Sequence, residues 1–196
     1  MNKKYRPSLR YIKNSCEKIK TGAQLLQDLR ALLSNEMSSV SKEWNRSLPF
    51  ADYIVDRWQK ALDLGFGKGS SIYDSALVIG NVKVGENTWI GPFTVLDGSG
   101  GLEIGDNCSI SAGVQIYTHD TVAWAISGGE INPQKKPVRI GDRCYIGPNV
   151  VISKGVNIGD GCVIGANSFV NHDVPAGMKA WGCPAQCLGE ALLLIK

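Results

Sequence analysis

The sequence predicts an all-β fold, a parallel β-helix built from hexapeptides, with an α-helical appendage at its N-terminus. Aliphatic residues recur at intervals of six within three blocks, and the residue four positions further on is small or β-branched in most hexads. A repeat that cannot bury its own apolar face must stack on copies of itself, so three hexads are expected to form one triangular coil. The aliphatic residues that should fill the interior are Ile72, Val78, Val84, Ile90, Leu96, Ile104, Ile110, Ile116, Ile140, Ile146, Ile152, Ile158, Ile164 and Val170.

The main alternative is a β-sandwich of ordinary short strands. Sandwich strands alternate with a period of two and are separated by turns at irregular intervals of roughly 8–12 residues. Here the period is six, and polar clusters such as Gly-Glu-Asn and Gly-Asp-Asn recur at the same phase. A glycine often follows the aliphatic residue, where it should let the chain turn a corner. The pattern therefore favours the β-helix.

Length and composition limit the class of protein. The 196 residues allow one main domain with an appendage, and a net charge of +3 is too weak to indicate a nucleic-acid partner. No apolar run reaches the roughly 18 residues of a membrane span, and the basic start of the chain lacks the apolar region of a secretory signal. Three of the six cysteines, Cys108, Cys144 and Cys162, occupy the small interior position, where they should behave as small hydrophobes. Scattered cysteines of this kind predict a reducing, cytoplasmic compartment.

The chain is predicted to divide into three parts. Residues 1–67 should form a basic arm and a helical cap, residues 68–175 the β-helix, and residues 176–196 a tail. One helix should begin after Thr21, a suitable N-cap, and a second after Pro49. Their apolar stripes are expected to dock on the first coil and shield its open end.

The repeat has one long interruption, at residues 117–137. Long loops that leave a rigid scaffold are normally functional. This loop opens with His119, one of only two histidines in the chain, preceded by Thr118 and followed by Asp120. Imidazole titrates near neutrality and can accept a proton from a bound nucleophile. His119 is therefore the candidate catalytic residue.

Three segments are distinctive beside the hexads: Ile-Tyr-Thr-His at 116–119, Lys-Pro-Val-Arg-Ile-Gly-Asp-Arg-Cys-Tyr-Ile-Gly at 136–147, and Asp-Val-Pro-Ala at 173–176 before Gly-Cys-Pro-Ala at 182–185. Together they resemble the hexapeptide-repeat acyltransferases, most closely the maltose, galactoside, xenobiotic and polysaccharide O-acetyltransferases. The resemblance covers residues 72–189 and implies a left-handed parallel β-helix. The first 65 residues look different from the short helical start of the sugar acetyltransferases, so they support no transfer of substrate identity.

The resemblance also implies a mechanism. Such enzymes are homotrimers with active sites in the clefts between neighbouring β-helices, where acetyl-CoA or another acyl-CoA lies as donor. The histidine at the position of His119 is the general base that takes a proton from an acceptor hydroxyl or amine as it attacks the thioester. No metal and no covalent enzyme intermediate are expected. The implied function is CoA-dependent acyl transfer, with O-acetylation of a sugar or polysaccharide precursor as the first choice.

Three residues match the acceptor side of such a site. Asp97 matches an acidic residue that contacts the acceptor in the galactoside enzymes, although an ordinary corner residue of a Gly-rich turn would also explain it. Asp120, next to the histidine, is a second candidate substrate contact. Tyr145 stands where relatives often have a tryptophan beside the histidine, and it could form a wall of the acyl or acceptor pocket.

On the donor side the resemblance places Gly147, Pro148, Gly165, Ala166, Asn171, His172 and Lys179 along coenzyme A. Pro148 and Ala166 fall one coil apart on positions that line the pantetheine groove, and Pro148 has no N–H to donate. Near the coenzyme phosphates, where relatives have Lys or Arg, this chain has His172 and Gln186, which removes fixed positive charge. Lys154 and Lys179 could compensate.

Other functions compete with O-acyl transfer. An N-acyltransferase acting on a nucleotide-linked amino sugar would use the same fold and base. A zinc enzyme of the γ-carbonic-anhydrase type would need three histidine ligands per metal, whereas this chain has two, 53 residues and roughly three coils apart. A non-catalytic scaffold would explain the missing cations, but it gives no reason for a long loop opened by Thr-His-Asp.

Overall fold

The computed structural model describes residues 21–191, which divide into two compact units, residues 21–57 and residues 58–191. The predicted basic arm at residues 1–20 and the end of the tail, residues 192–196, lie outside the described residues. Within the described range, no helix is both long enough and apolar enough to cross a bilayer.

The first unit begins with a long helix, α1 (Gly22–Trp44). Thr21 is its N-cap, as predicted, and its Oγ1 accepts a hydrogen bond from Gln24 N at 3.3 Å. The helix ends at Asn45, whose left-handed backbone is a common helix terminator. Val40 is buried, whereas the leucines of the predicted apolar stripe are half-buried or exposed.

The helix predicted after Pro49 is in fact two helices, α2 (Phe50–Ile54) and α3 (Arg57–Asp63). The chain leaves helical geometry at Val55, which has extended backbone with φ −86° and ψ 120°. A β-branched residue fits such backbone better than a helix interior. The prediction of one continuous helix is therefore wrong at this position.

In the second unit, α3 packs on the first coil. Ala61 and Phe66 belong to the same buried cluster as the interior of the β-helix. Lys60 Nζ donates to Asp74 Oδ1 at 2.9 Å and to the Asp74 carbonyl at 3.1 Å. These contacts cover the first coil in the way that a terminal cap covers a repeat protein.

The predicted parallel β-helix is confirmed, and each coil places short strands on three faces, named face 1, face 2 and face 3 in chain order. Face 1 consists of β1 (Ser71–Ile72), β3 (Trp89–Ile90), β5 (Ser109–Ile110), β10 (Tyr145–Ile146), β13 (Val163–Ile164) and β15 (Met178–Gly182). Two long strands, β2 (Leu77–Val84) and β4 (Val95–Ile104), run over faces 2 and 3. Face 2 continues in β6 (Gln115–Ile116), β11 (Val151–Ile152) and β14 (Phe169–Val170), and face 3 in β9 (Val138–Ile140) and β12 (Asn157–Ile158).

The interior is filled as the six-residue period predicts. Every predicted aliphatic position is buried except Val78, which is half-buried in the first coil. The cysteines, however, are more than small hydrophobes. The thiols of Cys108, Cys144 and Cys162 each donate a hydrogen bond, at 3.1 Å, to a backbone carbonyl at a corner of the following coil. Each thiol therefore links its own coil to a corner of the next one.

The corner glycines have a different role from the one predicted. A Cβ on Gly147 would lie 2.7 Å from Ala166 N, so the next coil leaves no room for a side chain. The left-handed backbone that turns the corner falls two residues later instead, at Asn149 (φ 58°) and, one coil further, at Asn167 (φ 57°). Glycine at this corner therefore permits close stacking of coils, and asparagine makes the turn.

Candidate active site

The loop at residues 117–137 leaves the β-helix at the end of face 2. Its two ends pair as an antiparallel ladder, and a short helix lies between them. These elements are β7 (His119–Asp120), α4 (Val122–Ile126) and β8 (Gln134–Lys135). Lys136 N donates to Thr118 O at 2.9 Å and closes the base of the loop. The loop is therefore a hairpin anchored on the solenoid.

His119 is paired with a buried carboxylate. Its Nδ1 lies 2.5 Å from Oδ2 of Asp97, whose side chain is fully buried, while the imidazole is 34% exposed. An ionised carboxylate can only accept hydrogen bonds, so Nδ1 carries the proton of this contact. The pair fixes the tautomer and leaves Nε2 as the nitrogen that can accept a proton.

The surroundings of Asp97 keep its carboxylate ionised. Burial alone would raise the pKa of Asp97, but hydrogen bonds from Ser99, His119 and Thr118 outweigh burial and hold the pKa well below its ordinary value. Two of these are backbone contacts, from Ser99 N and from Thr118 N, both at 2.9 Å. The imidazole therefore faces a permanent negative charge at neutral pH.

Thr118 supports the candidate site, a role that the sequence did not predict. Its hydroxyl donates to the Asp97 carbonyl at 2.8 Å and accepts from Gly100 N at 2.7 Å. The side chain is fully buried, and it joins the Gly-rich corner at residues 97–101 to the segment that carries His119. Its only sequence signal was its position directly before the histidine.

Asp120 forms an ion pair with Lys154, which belongs to the corner after β11 in the next coil. The Lys154 hydrogen bond, aided by the Val122 N–H at 3.1 Å, holds the pKa of Asp120 below its ordinary value. Beside Lys154, the Lys136 side chain packs over Gly155, where a Cβ would lie 3.1 Å from Lys136 Cδ. Both ends of the loop therefore rest on one corner, and Lys154 is occupied there rather than left free for a phosphate.

Tyr145 lies on a different face from the histidine. It is 43% exposed on face 1, between Ser109 and Val163 of the adjacent strands. His119 follows β6 on face 2. A single chain therefore presents the two side chains on separate faces of the coil.

The predicted donor-side residues fall in three places. Gly147, Pro148, Gly165 and Ala166 form one column at the corner after face 1, where Pro148 O accepts a hydrogen bond from Asn167 N at 2.9 Å. Asn171 and His172 are exposed at the corner after face 2, with His172 Nδ1 2.9 Å from Asn171 Oδ1. Lys179 lies on the last strand of face 1.

The end of the β-helix is a hairpin of β15 and the antiparallel strand β16 (Ala185–Glu190), joined through a cis Cys183–Pro184 peptide. The Lys179 ammonium lies 5.8 Å from the centre of the Trp181 ring, within the range of a cation–π contact. Gln186 pairs with Trp181 in register. Lys179 and Gln186 are therefore both close to the same indole.

The two histidines are closer along the axis than predicted. They follow β6 and β14, which are separated in the sheet only by β11, so the distance is two coils rather than roughly three. Among residues 21–191 there is no group of three or more His, Cys, Asp and Glu side chains that could hold a metal ion.

Comparison with known proteins identifies the class. Residues 81–118 and 137–172 match the hexapeptide repeat of succinyl-transferase, and the gap between the two matches is the loop that opens with His119. The chain is 31% identical in sequence to a maltose O-acetyltransferase from Clostridium difficile 630, with a TM-score of 0.55 over 81% of this chain and 88% of that one. The chain belongs to the hexapeptide-repeat acyltransferase family, as its motifs predicted.

Two other relatives add to this comparison. One is an N-acyltransferase rather than an O-acetyltransferase, and the other matches this chain over a shorter segment. An AntD mutant from Bacillus cereus, an N-acyltransferase solved with dTDP and coenzyme A, is 25% identical, with a TM-score of 0.59 over 66% of this chain and 75% of that one. Nodulation protein L of Rhizobium meliloti (strain 1021) is 39% identical over 112 residues, which are 56% of this chain. That match spans only 60% of the nodulation protein.

Proposed function

We propose that this protein is an acyl-CoA-dependent acyltransferase in which His119 is the general base. The observation that carries the proposal is the 2.5 Å contact between His119 Nδ1 and the buried Asp97 carboxylate, at the mouth of the loop that interrupts the repeat. Kinship supports it, because the maltose O-acetyltransferase and the coenzyme A complex of AntD share this fold.

The chemistry follows from the tautomer. His119 Nε2 accepts the proton of an acceptor hydroxyl or amine while that group attacks the thioester carbonyl, and the Asp97 carboxylate stabilises the imidazolium that forms. Collapse of the tetrahedral species breaks the carbon–sulfur bond, and the imidazolium returns its proton to the departing coenzyme A thiolate. Asp97, whose carboxylate bonds to Ser99 N, Thr118 N and His119 Nδ1, acts as a positioning residue in this proposal, and its predicted contact with the acceptor stays a prediction.

The donor fits the column of small residues at the corner after face 1. Gly147 and Gly165 let the coils stack closely, and Ala166 is exposed beside them, where its N–H can donate to an extended pantetheine arm. At the nucleotide end, Lys179 is the one residue of the predicted donor-binding set that carries a fixed positive charge. Its ammonium already contacts the Trp181 ring. These residues would hold coenzyme A with fewer cations than the family usually has.

The site needs a second copy of the chain. The column of Gly147, Pro148, Gly165 and Ala166, named here the donor column, lies beside face 1, and Tyr145 lies on that face. His119, in contrast, leaves from the end of face 2. A neighbouring copy brings the two together when face 2 of one subunit approaches face 1 of the next. Three copies close such a head-to-tail contact into a ring, so we propose a homotrimer with three shared sites.

The assembly gives the first testable prediction. A monomer should be inactive because it holds the base and the donor column on different faces. Light scattering of the purified protein should give a trimer, and activity should fall in parallel with trimer when the protein is diluted. A stable, fully active monomer would rule out the shared site.

The nucleotide end gives the second prediction. The substitution Gln186→Lys places an ammonium beside Trp181 and Lys179, where the resemblance locates the coenzyme phosphates. The donor KM should fall by several-fold, more at low than at high ionic strength, because the added contact is electrostatic. Gln186→Leu, which adds no charge, is the matched control. A donor KM for Gln186→Lys that equals that of the control at every salt concentration would show that residue 186 does not face coenzyme A.

The acceptor separates two forms of the function. O-acetyl transfer to a sugar hydroxyl is favoured by the 31% identity to a maltose O-acetyltransferase. N-acyl transfer to a nucleotide-linked amino sugar is the alternative, supported by the likeness to AntD. Acetyl-CoA with panels of sugars and amino sugars, followed by detection of the free thiol, distinguishes them. If calorimetry detected no binding of acetyl-CoA to the protein, a non-catalytic scaffold would be favoured instead.

A further inference from the structure

We propose that Trp89, Ser109 and Tyr145 form a notch on face 1 that binds one pyranose ring of the acceptor. The inference rests on the proposed acyl transfer, and it adds the side chains that recognise the sugar ring of the acceptor. Trp89 and Ser109 belong to no segment that the sequence analysis associated with the site.

The notch follows from strand register. Ser109 pairs with Trp89 on one side and with Tyr145 on the other. All three side chains point outward, because the neighbouring isoleucine in each strand is fully buried. Trp89 and Tyr145 are each 43% exposed. Two strand spacings separate their backbones by about 9.5 Å, with only a small side chain between them.

The dimensions and chemistry suit a sugar ring. A ring midway between the two aromatic side chains would lie about 4.7 Å from each, which is within the stacking range of aromatic groups. A pyranose has apolar C–H faces to pack on aromatic rings and hydroxyl groups on its edge. The floor offers the Ser109 hydroxyl, which makes no hydrogen bond to any other side chain or backbone group of residues 21–191. Aromatic walls with a hydroxyl floor therefore match both parts of a sugar.

Phe93 supports the proposal independently. It lies at the corner that follows Trp89, it is 61% exposed, and its backbone is left-handed with φ 58°. The equivalent corners of the next three coils carry Gly113, Asn149 and Asn167, residue types that tolerate this backbone. A bulky aromatic side chain that is held in strained backbone and exposed to solvent indicates a functional constraint. We place Phe93 at the rim of the notch.

The notch is in the right place for transfer. Ser109 and His119 belong to the same coil, and a rotation about a three-fold axis parallel to the solenoid keeps that height. The histidine of the neighbouring subunit would therefore face the notch. The donor column begins at Gly147, two residues after Tyr145, so a thioester at its near end would lie beside the bound ring.

Kinetics of Trp89→Ala and Trp89→Phe test the notch, with acetyl-CoA as donor and two acceptors, maltose and dTDP-4-amino-4,6-dideoxyglucose. For the acceptor that the wild type uses, Trp89→Ala should raise the acceptor KM about ten-fold, the donor KM should stay within about two-fold, and Trp89→Phe should restore most of the affinity. Trp44→Ala is the matched control, since Trp44 is 46% exposed in the N-terminal unit, and it should change neither constant.

Phe93→Asn separates ligand binding from stability. Relief of the left-handed backbone should raise Tm by about 2–4 °C, while the acceptor KM rises. A residue with a purely structural role would not weaken acceptor binding while it stabilises the protein. An unchanged acceptor KM in both Trp89→Ala and Phe93→Asn would overturn the proposal.

Other results would overturn it in identifiable ways. An equal rise in donor KM for Trp89→Ala would assign the notch to the coenzyme, and dissociation of the trimer in light scattering would assign it to the subunit interface. A wild-type enzyme that acetylates only acceptors without a pyranose ring would exclude the notch and leave acyl transfer intact. Failure to bind acetyl-CoA would contradict the proposed function itself.

Discussion

The substitution His119→Ala should reduce turnover by about 10²–10⁴-fold, because a positioned general base contributes a factor of that size. The imidazole is partly exposed and bonds to Asp97 alone among the described side chains, so its removal should leave the solenoid, the proposed trimer and donor binding intact. The measurement is acetyl transfer at saturating donor, with calorimetry for acetyl-CoA binding and light scattering for assembly.

The control for this experiment is His172→Ala. Its imidazole is exposed two coils away and contacts Asn171, so its removal should affect donor KM and leave turnover at saturating donor within about two-fold. If His119→Ala retained more than about a tenth of wild-type turnover, the assignment of His119 as general base would be wrong.

The substitution Asp97→Asn should also be severe, with turnover lowered by about 10²–10⁴-fold. The amide has nearly the shape of the carboxylate, but it carries no charge to stabilise an imidazolium, and its NH₂ group can turn the imidazole to the wrong tautomer. Acetyl-CoA affinity should be unchanged, because Asp97 is buried against His119, Ser99 and Thr118.

Stability must be separated from catalysis at this position. Thr118→Val removes the hydroxyl that bonds the Asp97 carbonyl and Gly100 N but keeps the backbone N–H that bonds the carboxylate. It should cost about 1–3 kcal/mol of unfolding free energy, while turnover of the folded protein changes much less than in Asp97→Asn. Equal losses of turnover in the two variants would mean that Asp97 acts only by holding the corner together.

The sequence predicted the solenoid because burial in a repeat is periodic. An aliphatic residue at every sixth position fills the interior whatever the neighbouring coils contain, so the interior positions could be read from spacing alone. The loop and its histidine stood out for the same reason, as the longest interruption of that period. The break between α2 and α3 was missed because apolar spacing says nothing about the backbone of Val55.

The hydrogen-bond and ion-pair partners of the site residues could not be predicted from residue spacing. The sequence allowed two interpretations of Asp97, an acceptor contact or a corner residue, and neither included its contact with His119 Nδ1. The pairing of Asp120 with Lys154 was also not predicted, and it engages one of the two lysines considered for the coenzyme phosphates. Each of these contacts joins residues on neighbouring coils, and the length of the corner or loop between them decides which side chains meet.

The sequence by itself determined the β-helical fold, the membership of the family and the choice of His119 as the candidate base. Each of these follows from residue spacing or from a short segment. Only the tertiary structure decided that His119 is held by a buried carboxylate, that Tyr145 and the donor column lie on another face, and that Trp89, Ser109 and Tyr145 are neighbours. The physical reason is that a period fixes which side chains point inward. The stacking register of the coils fixes which outward side chains share a surface, and that register depends on a longer corner and an inserted loop.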